Sequence, residues 1–140
     1  MYEDEHLAII HKPAGVLTSG NSFKTIANAL PNNIKTSVEA DAILPQPAHR
    51  LDFATTGALA IGKTRSALHK LNRAFEDQQV KKVYYAIAIG SLSTYGIIDS
   101  PIDGKEAKTY YNVIESVASP RFGQLQLVQL LPITGRRHQL

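Results

Sequence analysis

The chain has 140 residues, with 15 Lys and Arg against 12 Asp and Glu, a formal charge of +3, and no cysteine. Lack of cysteine excludes disulfide scaffolds, thiolate metal sites and cysteine nucleophiles, and is typical of a reducing, cytoplasmic setting. No apolar run is long enough to span a membrane, and the acidic start differs from a secretory signal. We expect one domain over 1–140, with a charge that permits a polyanionic partner.

The first half of the chain predicts alternating strands and helices. An apolar run at 7–11 predicts a strand that enters a Pro-Ala-Gly turn. Apolar residues at helical spacing over 23–30 predict a helix, which we expect Pro31 to end. The stretch 36–47 resembles a loop, and the apolar run 57–62 predicts a buried strand.

The second half predicts one longer helix followed by strands. Thr64 is a suitable N-cap for a helix from 65 to about 79, and Leu68, Leu71 and Phe75 fall on one face of it. Runs rich in β-forming residues predict strands at 83–89, 107–115 and 122–131. We therefore expect an α+β fold with a mixed, mainly antiparallel sheet and flanking helices.

The segment 57–64, GALAIGKT, matches the phosphate-loop pattern G-x-x-x-x-G-K-[ST]. Its four middle residues are apolar, whereas a phosphate loop must bend and direct backbone N–H groups at phosphates. We therefore expect a core strand here, with Lys63 solvated at its end. Nucleotide binding at this segment is the less favoured alternative.

Three clusters of polar residues are candidate sites, and the first lies at 49–57. It places His49, Arg50, Asp52 and two threonines between two prolines and Gly57. One alternative is a turn that Asp52 caps. A hydrolytic His–Asp pair lacks a nucleophilic serine, and the scattered histidines predict no metal site.

The second cluster lies in the strand 83–89. Tyr85, Ile87 and Ile89 share one face, which we expect to be core because it is bulky and apolar. Tyr84 lies on the other face beside two alanines, which leaves room for a planar ligand. The alternative is that Tyr84 packs beneath a helix.

The third cluster, 134–139, places two adjacent guanidinium groups, Arg136 and Arg137, in a polar turn. Such a pair suits phosphate or carboxylate contacts. The alternative is an ordinary solvated basic turn.

Taken together, five sequence blocks resemble the RluA type of RNA pseudouridine synthases. They are the opening with K-P-A-G, H-R-L-D-x-x-T-T-G from His49, K-x-Y-x-A from Lys82, A-x-T-x-Y from Ala107, and T-G-R-x-H-Q-L from Thr134. The family's last block continues with an arginine, whereas this sequence stops at Leu140. The resemblance therefore implies the front part, an incomplete form, of a pseudouridine synthase catalytic fold.

The resemblance implies catalytic roles for three residues. Asp52 would be the essential carboxylate, acting as nucleophile or as base at the sugar. Arg136 would pair with Asp52, and Tyr84 would lie against the uracil and help to remove its C5 proton. The reaction isomerises uridine within RNA, so it implies no cofactor and no metal.

The resemblance also implies an RNA partner and no obligatory protein partner. Arg50 would fill the space that the uridine leaves when it is extruded from the RNA. Further substrate or RNA contacts are implied for His49, Leu51, Thr56, Lys82, Arg137, His138 and Leu140, and phosphate contacts also for Lys63 and Lys81. The alternative from another functional class is a chain that binds RNA without catalysis.

Overall fold

A computed structural model describes residues 1–140. The chain divides into two compact units, residues 1–79 and 80–140, which we describe separately. Neither helix of the structure is long and apolar enough to cross a membrane.

The first unit combines one four-stranded sheet with two helices. Its strands pair in the order β1-β2-β4-β3, and every pairing is antiparallel. The elements are β1 (Tyr2–Glu3), β2 (Leu7–Lys12), α1 (Ile26–Asn33), β3 (Ala42–Pro47), β4 (Gly57–Thr64) and α2 (Arg65–Glu76).

Strand β4 is the centre of the first unit, and the predicted buried strand is confirmed. Leu59 and Ile61 are completely buried. A Cβ at Gly62 would lie 2.7 Å from the Leu68 Cβ, so α2 packs directly on the strand's backbone. Thr64 ends β4 and caps α2 as predicted, since its hydroxyl accepts from Ala67 N at 3.2 Å. The helix ends at Glu76, three residues earlier than the sequence predicts.

The loop predicted over 36–47 is wrong for its second half, because residues 42–47 form β3. This strand contains Pro45 and Pro47, which lack an N–H. An edge strand tolerates prolines because only one of its sides is paired in the sheet. Its register also shifts between Ala42 and Gln46, which marks an irregularity in the pairing.

Helix α1 is shifted relative to its prediction. Thr25 caps it, accepting from Asn28 N at 3.2 Å, so Phe23 lies before the helix. Pro31 does not end the helix, which continues to Asn33. Proline's fixed φ is itself helical, so the cost in this last turn is one missing hydrogen bond.

The second unit is a four-stranded antiparallel sheet with strand order β5-β8-β7-β6. Three of its strands match the predicted ones to within a few residues, and the short β6 was not predicted. The strands are β5 (Tyr84–Ile89), β6 (Tyr95–Asp99), β7 (Lys108–Ser119) and β8 (Gly123–Pro132). The predicted α+β class is thus confirmed, with the strands divided between two sheets.

The predicted core face of β5 is wrong. Tyr85, Ile87 and Ile89 are each more than 60% exposed, at 62%, 64% and 65%. The opposite face is the better covered one, because there Val128 of β8, opposite Ala86, is only 2% exposed. Both faces of β5 are apolar, so side-chain size alone could not identify the covered face.

Candidate functional site

Residues 48–56, which we call the Asp52 loop, join β3 to β4 and contain the first predicted cluster. Within the loop, Thr55 N donates to the Asp52 carbonyl oxygen at 3.1 Å, which closes a tight turn. From outside it, Gly15 N donates to the carbonyl oxygen of Phe53 at 2.8 Å. The turn after β2 and the Asp52 loop are therefore attached to each other through their backbones.

Lys12 holds the Asp52 loop from within. The residue is completely buried. Its ammonium donates to three close carbonyl oxygens, at 3.0 Å to Pro13, 3.0 Å to Asp52 and 2.9 Å to Thr55, and to a fourth at 3.5 Å on Phe53. Burial lowers the pKa of the Lys12 ammonium, and the negative charge of Asp52 acts in the opposite direction. A cation enclosed by carbonyl oxygens thus fixes the backbone of the candidate catalytic residue.

Leu51 is held by the hydroxyl of Thr18. Thr18 Oγ1 accepts from Leu51 N at 3.1 Å and donates to the Leu51 carbonyl oxygen at 2.9 Å. Both residues are buried, and Leu51 is 6% exposed. The residue next to Asp52 therefore belongs to the core of the first unit.

His49 lies against the framework behind the loop. Its ring stacks on Phe75 of α2 with centroids 4.3 Å apart. Its Nε2 accepts from Ala60 N of β4 at 3.0 Å. These contacts give His49 a role in shaping the loop that its sequence pattern did not reveal.

The side of the loop that faces solvent carries the predicted RNA contacts Arg50 and Thr56. Both residues are exposed, and Asp52 between them in sequence is half-buried. A half-buried carboxylate in a fixed loop can meet a ligand that enters from solvent.

In the second unit, Tyr84 begins β5 opposite Leu130 of β8. It is half-buried, and the small Ala86 follows it on the same face of the strand. The predicted arrangement of one phenol beside small side chains is therefore present in the strand.

Lys82 lies just before β5 and is half-buried. Its ammonium donates to the carbonyl oxygen of Thr134 at 2.9 Å. Burial lowers the pKa of this ammonium. The K-x-Y-x-A block is thereby attached to residues 134–139, which we call the basic turn.

Gln139 organises the basic turn. Its Oε1 accepts from Arg136 N at 2.9 Å and from the Thr134 hydroxyl at 2.8 Å. Its Nε2 donates to the carbonyl oxygen of Lys108 at 3.2 Å and to the Thr109 hydroxyl at 3.0 Å. One neutral amide therefore ties the basic turn to β7.

The charged groups of the basic turn are exposed, as is Leu140. Arg136 Nε donates to the carbonyl oxygen of Glu106 at 2.8 Å. Arg137 Nε donates to His138 Nε2 at 3.1 Å. The turn thus presents two guanidinium groups on a fixed backbone.

The expectation that Lys63 is solvated is wrong, because the residue is 1% exposed. Its ammonium donates to Glu3 Oε1 at 2.9 Å and to the carbonyl oxygen of Asp4. The whole GALAIGKT segment is strand β4, so it forms no loop that could surround a phosphate. Burial equally removes Lys63 from the expected phosphate contacts.

The predicted site residues are distributed over both units. The first unit brings the Asp52 loop together around Lys12, and the second attaches the basic turn to Lys82, just before Tyr84. Sequence reasoning gave no role to Lys12, Thr18 or Gln139, although the first and last lie inside the quoted blocks. The sequence offered one signal for Lys12 and Gln139. Each is a charged or amide residue inside a quoted block, and the sequence analysis assigned it no function.

Comparison with known proteins supports the resemblance. The family model described as RNA pseudouridylate synthase matches residues 6–140. The dual-specificity RNA pseudouridine synthase RluA of Salmonella typhi is 33% identical over the whole chain, which covers 68% of that protein. The ribosomal large subunit pseudouridine synthase D of Nitrosomonas europaea is 35% identical, and the chain spans 44% of its length.

A solved structure agrees with this result. The human RNA pseudouridylate synthase domain containing 4 superposes with a TM-score of 0.78 at 28% identity. The match covers 99% of this chain and 60% of the human one. With the family model matching almost the whole sequence, the chain belongs to the RluA type of the RNA pseudouridine synthase family, as its motifs predict.

Proposed function

We propose that this chain isomerises uridine to pseudouridine in RNA, with Asp52 as the catalytic carboxylate. The observation that carries the proposal is the contact of the buried Lys12 ammonium with the Asp52 carbonyl oxygen, 3.0 Å. It fixes the backbone of a half-buried carboxylate in a loop whose outer side is open to solvent. Catalysis requires this kind of fixed geometry at the reacting group.

The reaction moves the uracil from one bond to another within the same nucleotide. The N1–C1′ bond breaks, the uracil turns, C5 bonds to C1′, and the C5 proton is lost while N1 gains a proton. The atoms balance without a second substrate. Asp52 acts at the sugar, as a nucleophile or as a base, and either role requires the ionised carboxylate.

Tyr84 and Arg136 complete the proposed chemistry. Tyr84 lies against the uracil and helps to remove the C5 proton; the support is its half-buried ring beside a small residue. The role that we propose for Arg136 is to pair with the Asp52 carboxylate; the support is an exposed guanidinium on a backbone fixed by Gln139.

The target uridine must leave its base stack to reach a carboxylate in a loop. Arg50 is exposed in the Asp52 loop, and it fills the space that the extruded base leaves. Arg137 is exposed in the basic turn and contacts phosphates, which position the RNA but do not read its sequence.

The test compares Asp52→Asn with the unchanged chain on total rRNA and tRNA, with pseudouridine mapped at nucleotide resolution. We expect product formation to fall at least about a hundredfold, because the amide cannot act as nucleophile or base. RNA affinity should be retained. Asp103→Asn, at an exposed turn of the second unit with φ 50°, is the matched control and should behave as the unchanged chain.

A second arm of the same experiment concerns Tyr84→Phe, which keeps the ring and removes the hydroxyl. We expect slower product formation, and Tyr85→Phe on the opposite face of β5 as control should have little effect. Pseudouridine formation by Asp52→Asn would contradict the proposal. If the unchanged chain binds RNA but forms no pseudouridine, the alternative function holds, namely RNA binding without catalysis.

A further inference from the structure

A cleft of about 510 Å³ opens beside the Asp52 loop in the first unit. It lies between the start of α1, the end of β3 and the first residues of the loop. The lining residues on which the argument rests are Ser19, Ala27, Gln46, Pro47, Ala48 and Arg50.

The walls of the cleft are attached to the residue that precedes Asp52. Ser19 lines one wall and Arg50 the other. Their chain neighbours Thr18 and Leu51 make two hydrogen bonds to each other, which join the two walls. Two residues of chain span at most about 7 Å, so Arg50 lies within that distance of Asp52 along the backbone. The cleft wall at Arg50 is therefore close in the chain to Asp52, near where a nucleotide next to the target uridine would lie.

The chemistry of the lining suits a nucleobase. Ala27, Pro47 and Ala48 offer apolar surface for the faces of a planar ring. Ser19 and Gln46 are exposed and carry the donors and acceptors that a base edge requires. The volume falls within the usual range of about 300–1,000 Å³ for small-ligand sites.

We propose that this cleft binds the base of a nucleotide that flanks the target uridine in the RNA. The inference rests on the proposed function and adds a second base-binding position to it. Bases in single-stranded RNA loops can turn outward and meet a protein pocket through their edges and faces. Such a position would contribute to the choice of target site.

The experiment fills the cleft without changing the loop. Ala27→Leu places a larger side chain at the cleft, and Ala29→Leu makes the same change at an exposed position of the same helix. The probe is a fluorescent RNA hairpin that carries the mapped uridine in its loop. We expect Ala27→Leu to raise the Kd about tenfold, equivalent to about 1.4 kcal/mol, and Ala29→Leu to leave it unchanged.

Abasic substitutions in the hairpin identify the nucleotide that enters the cleft. In the unchanged chain, removing the base at one flanking position should weaken binding about tenfold, whereas in Ala27→Leu the same removal should cost almost nothing further. Gln46→Ala, which cannot clash, should reproduce part of the loss if Ala27→Leu folds poorly.

Equal affinities for the two leucine variants, or insensitivity of the unchanged chain to every flanking abasic site, would overturn the inference. Failure of the proposed function gives a different result, namely no pseudouridine in any RNA. If the unchanged chain forms pseudouridine normally and the two leucine variants bind the hairpin with equal Kd, the cleft proposal is rejected and the proposed function is retained.

Discussion

The Asp52 loop and the basic turn are both fastened by a lysine, but in different ways. Lys12 is completely buried and donates to three carbonyl oxygens of the Asp52 loop, those of Asp52, Phe53 and Thr55. Lys82 is half-buried and donates to a single carbonyl oxygen of the basic turn, where the neutral amide of Gln139 makes four further hydrogen bonds.

The difference corresponds to what each segment presents. The Asp52 loop offers one carboxylate, and a buried cation holds its backbone; the catalytic role that we propose for Asp52 requires such an accurate position. The basic turn offers exposed guanidinium groups, and the phosphate contacts that we propose for them would tolerate some adjustment. The first segment is thus held rigidly by its buried contacts, and the second leaves its charged groups accessible to solvent.

The largest expected effect separates the two lysines directly. Lys12→Met should lower the free energy of unfolding of the first unit by about 3–5 kcal/mol, because buried carbonyl oxygens lose a charged donor. Lys82→Met should cost the second unit only about 1–2 kcal/mol. Amide hydrogen exchange resolves the units, and the exposed Lys24→Met is the control. Equal losses in the free energy of unfolding for Lys12→Met and Lys82→Met would contradict the difference proposed between the two segments.

A smaller loss in the free energy of unfolding is expected from a change at His49, which concerns only the Asp52 loop. His49→Phe keeps a ring against Phe75 and leaves Ala60 N without its acceptor, at a cost of about 2 kcal/mol. His49→Gln restores an acceptor oxygen at similar reach. Exchange of the Ala60 amide should accelerate more in the Phe variant than in the Gln variant. The opposite order would remove the hydrogen bond from the explanation.

In the basic turn, Gln139→Leu should cost about 1–2 kcal/mol, because the buried hydroxyls of Thr134 and Thr109 lose a partner, whereas the exposed Arg136 amide regains water. The Arg136 amide should exchange faster, while the Asp52 loop in the first unit stays unchanged. Gln129→Leu makes the same substitution at a strand position where the amide donates to the Tyr85 hydroxyl. Similar exchange at Arg136 in both variants would show that Gln139 does not hold the turn.

The smallest effect is a dependence on pH. Burial lowers the pKa of both Lys12 and Lys82 below the usual 10.5. Between the lowered pKa and 10.5 the unfolded state binds more protons, so each lysine makes the free energy of unfolding rise with pH. Urea titrations of the unchanged chain and each methionine variant between pH 8 and about 10.5 measure this slope. If the free energy of unfolding of the unchanged chain, relative to that of the methionine variant, fell as the pH rises, this prediction would be contradicted.

Local sequence patterns predicted most strands, the cap at Thr64 and the family. They could not predict that residues 42–47 pair as an edge strand, since the prolines there indicate a loop unless the neighbouring strand is known. They also misplaced the covered face of β5, because both of its faces are apolar.

The site residues that sequence analysis missed share one physical property. Lys12, Thr18 and Gln139 act on backbone groups of residues distant in the chain. Backbone groups are the same at every position, so no sequence pattern records which ones a side chain will meet. Asp52, Tyr84 and Arg136 were found through the family's motifs, and their catalytic roles remain proposals.

The junction at Thr64 has a mechanical consequence. Strand β4 and helix α2 meet there with no connecting loop, and this single stretch supplies both supports of the His49 ring, Ala60 and Phe75. The junction of β4 and α2 therefore supports the Asp52 loop from behind, through its two contacts with His49. Inserting even one glycine between Thr64 and Arg65 would turn the helix relative to the strand, and the His49 ring would lose its contact with Phe75 although no residue of the Asp52 loop had changed.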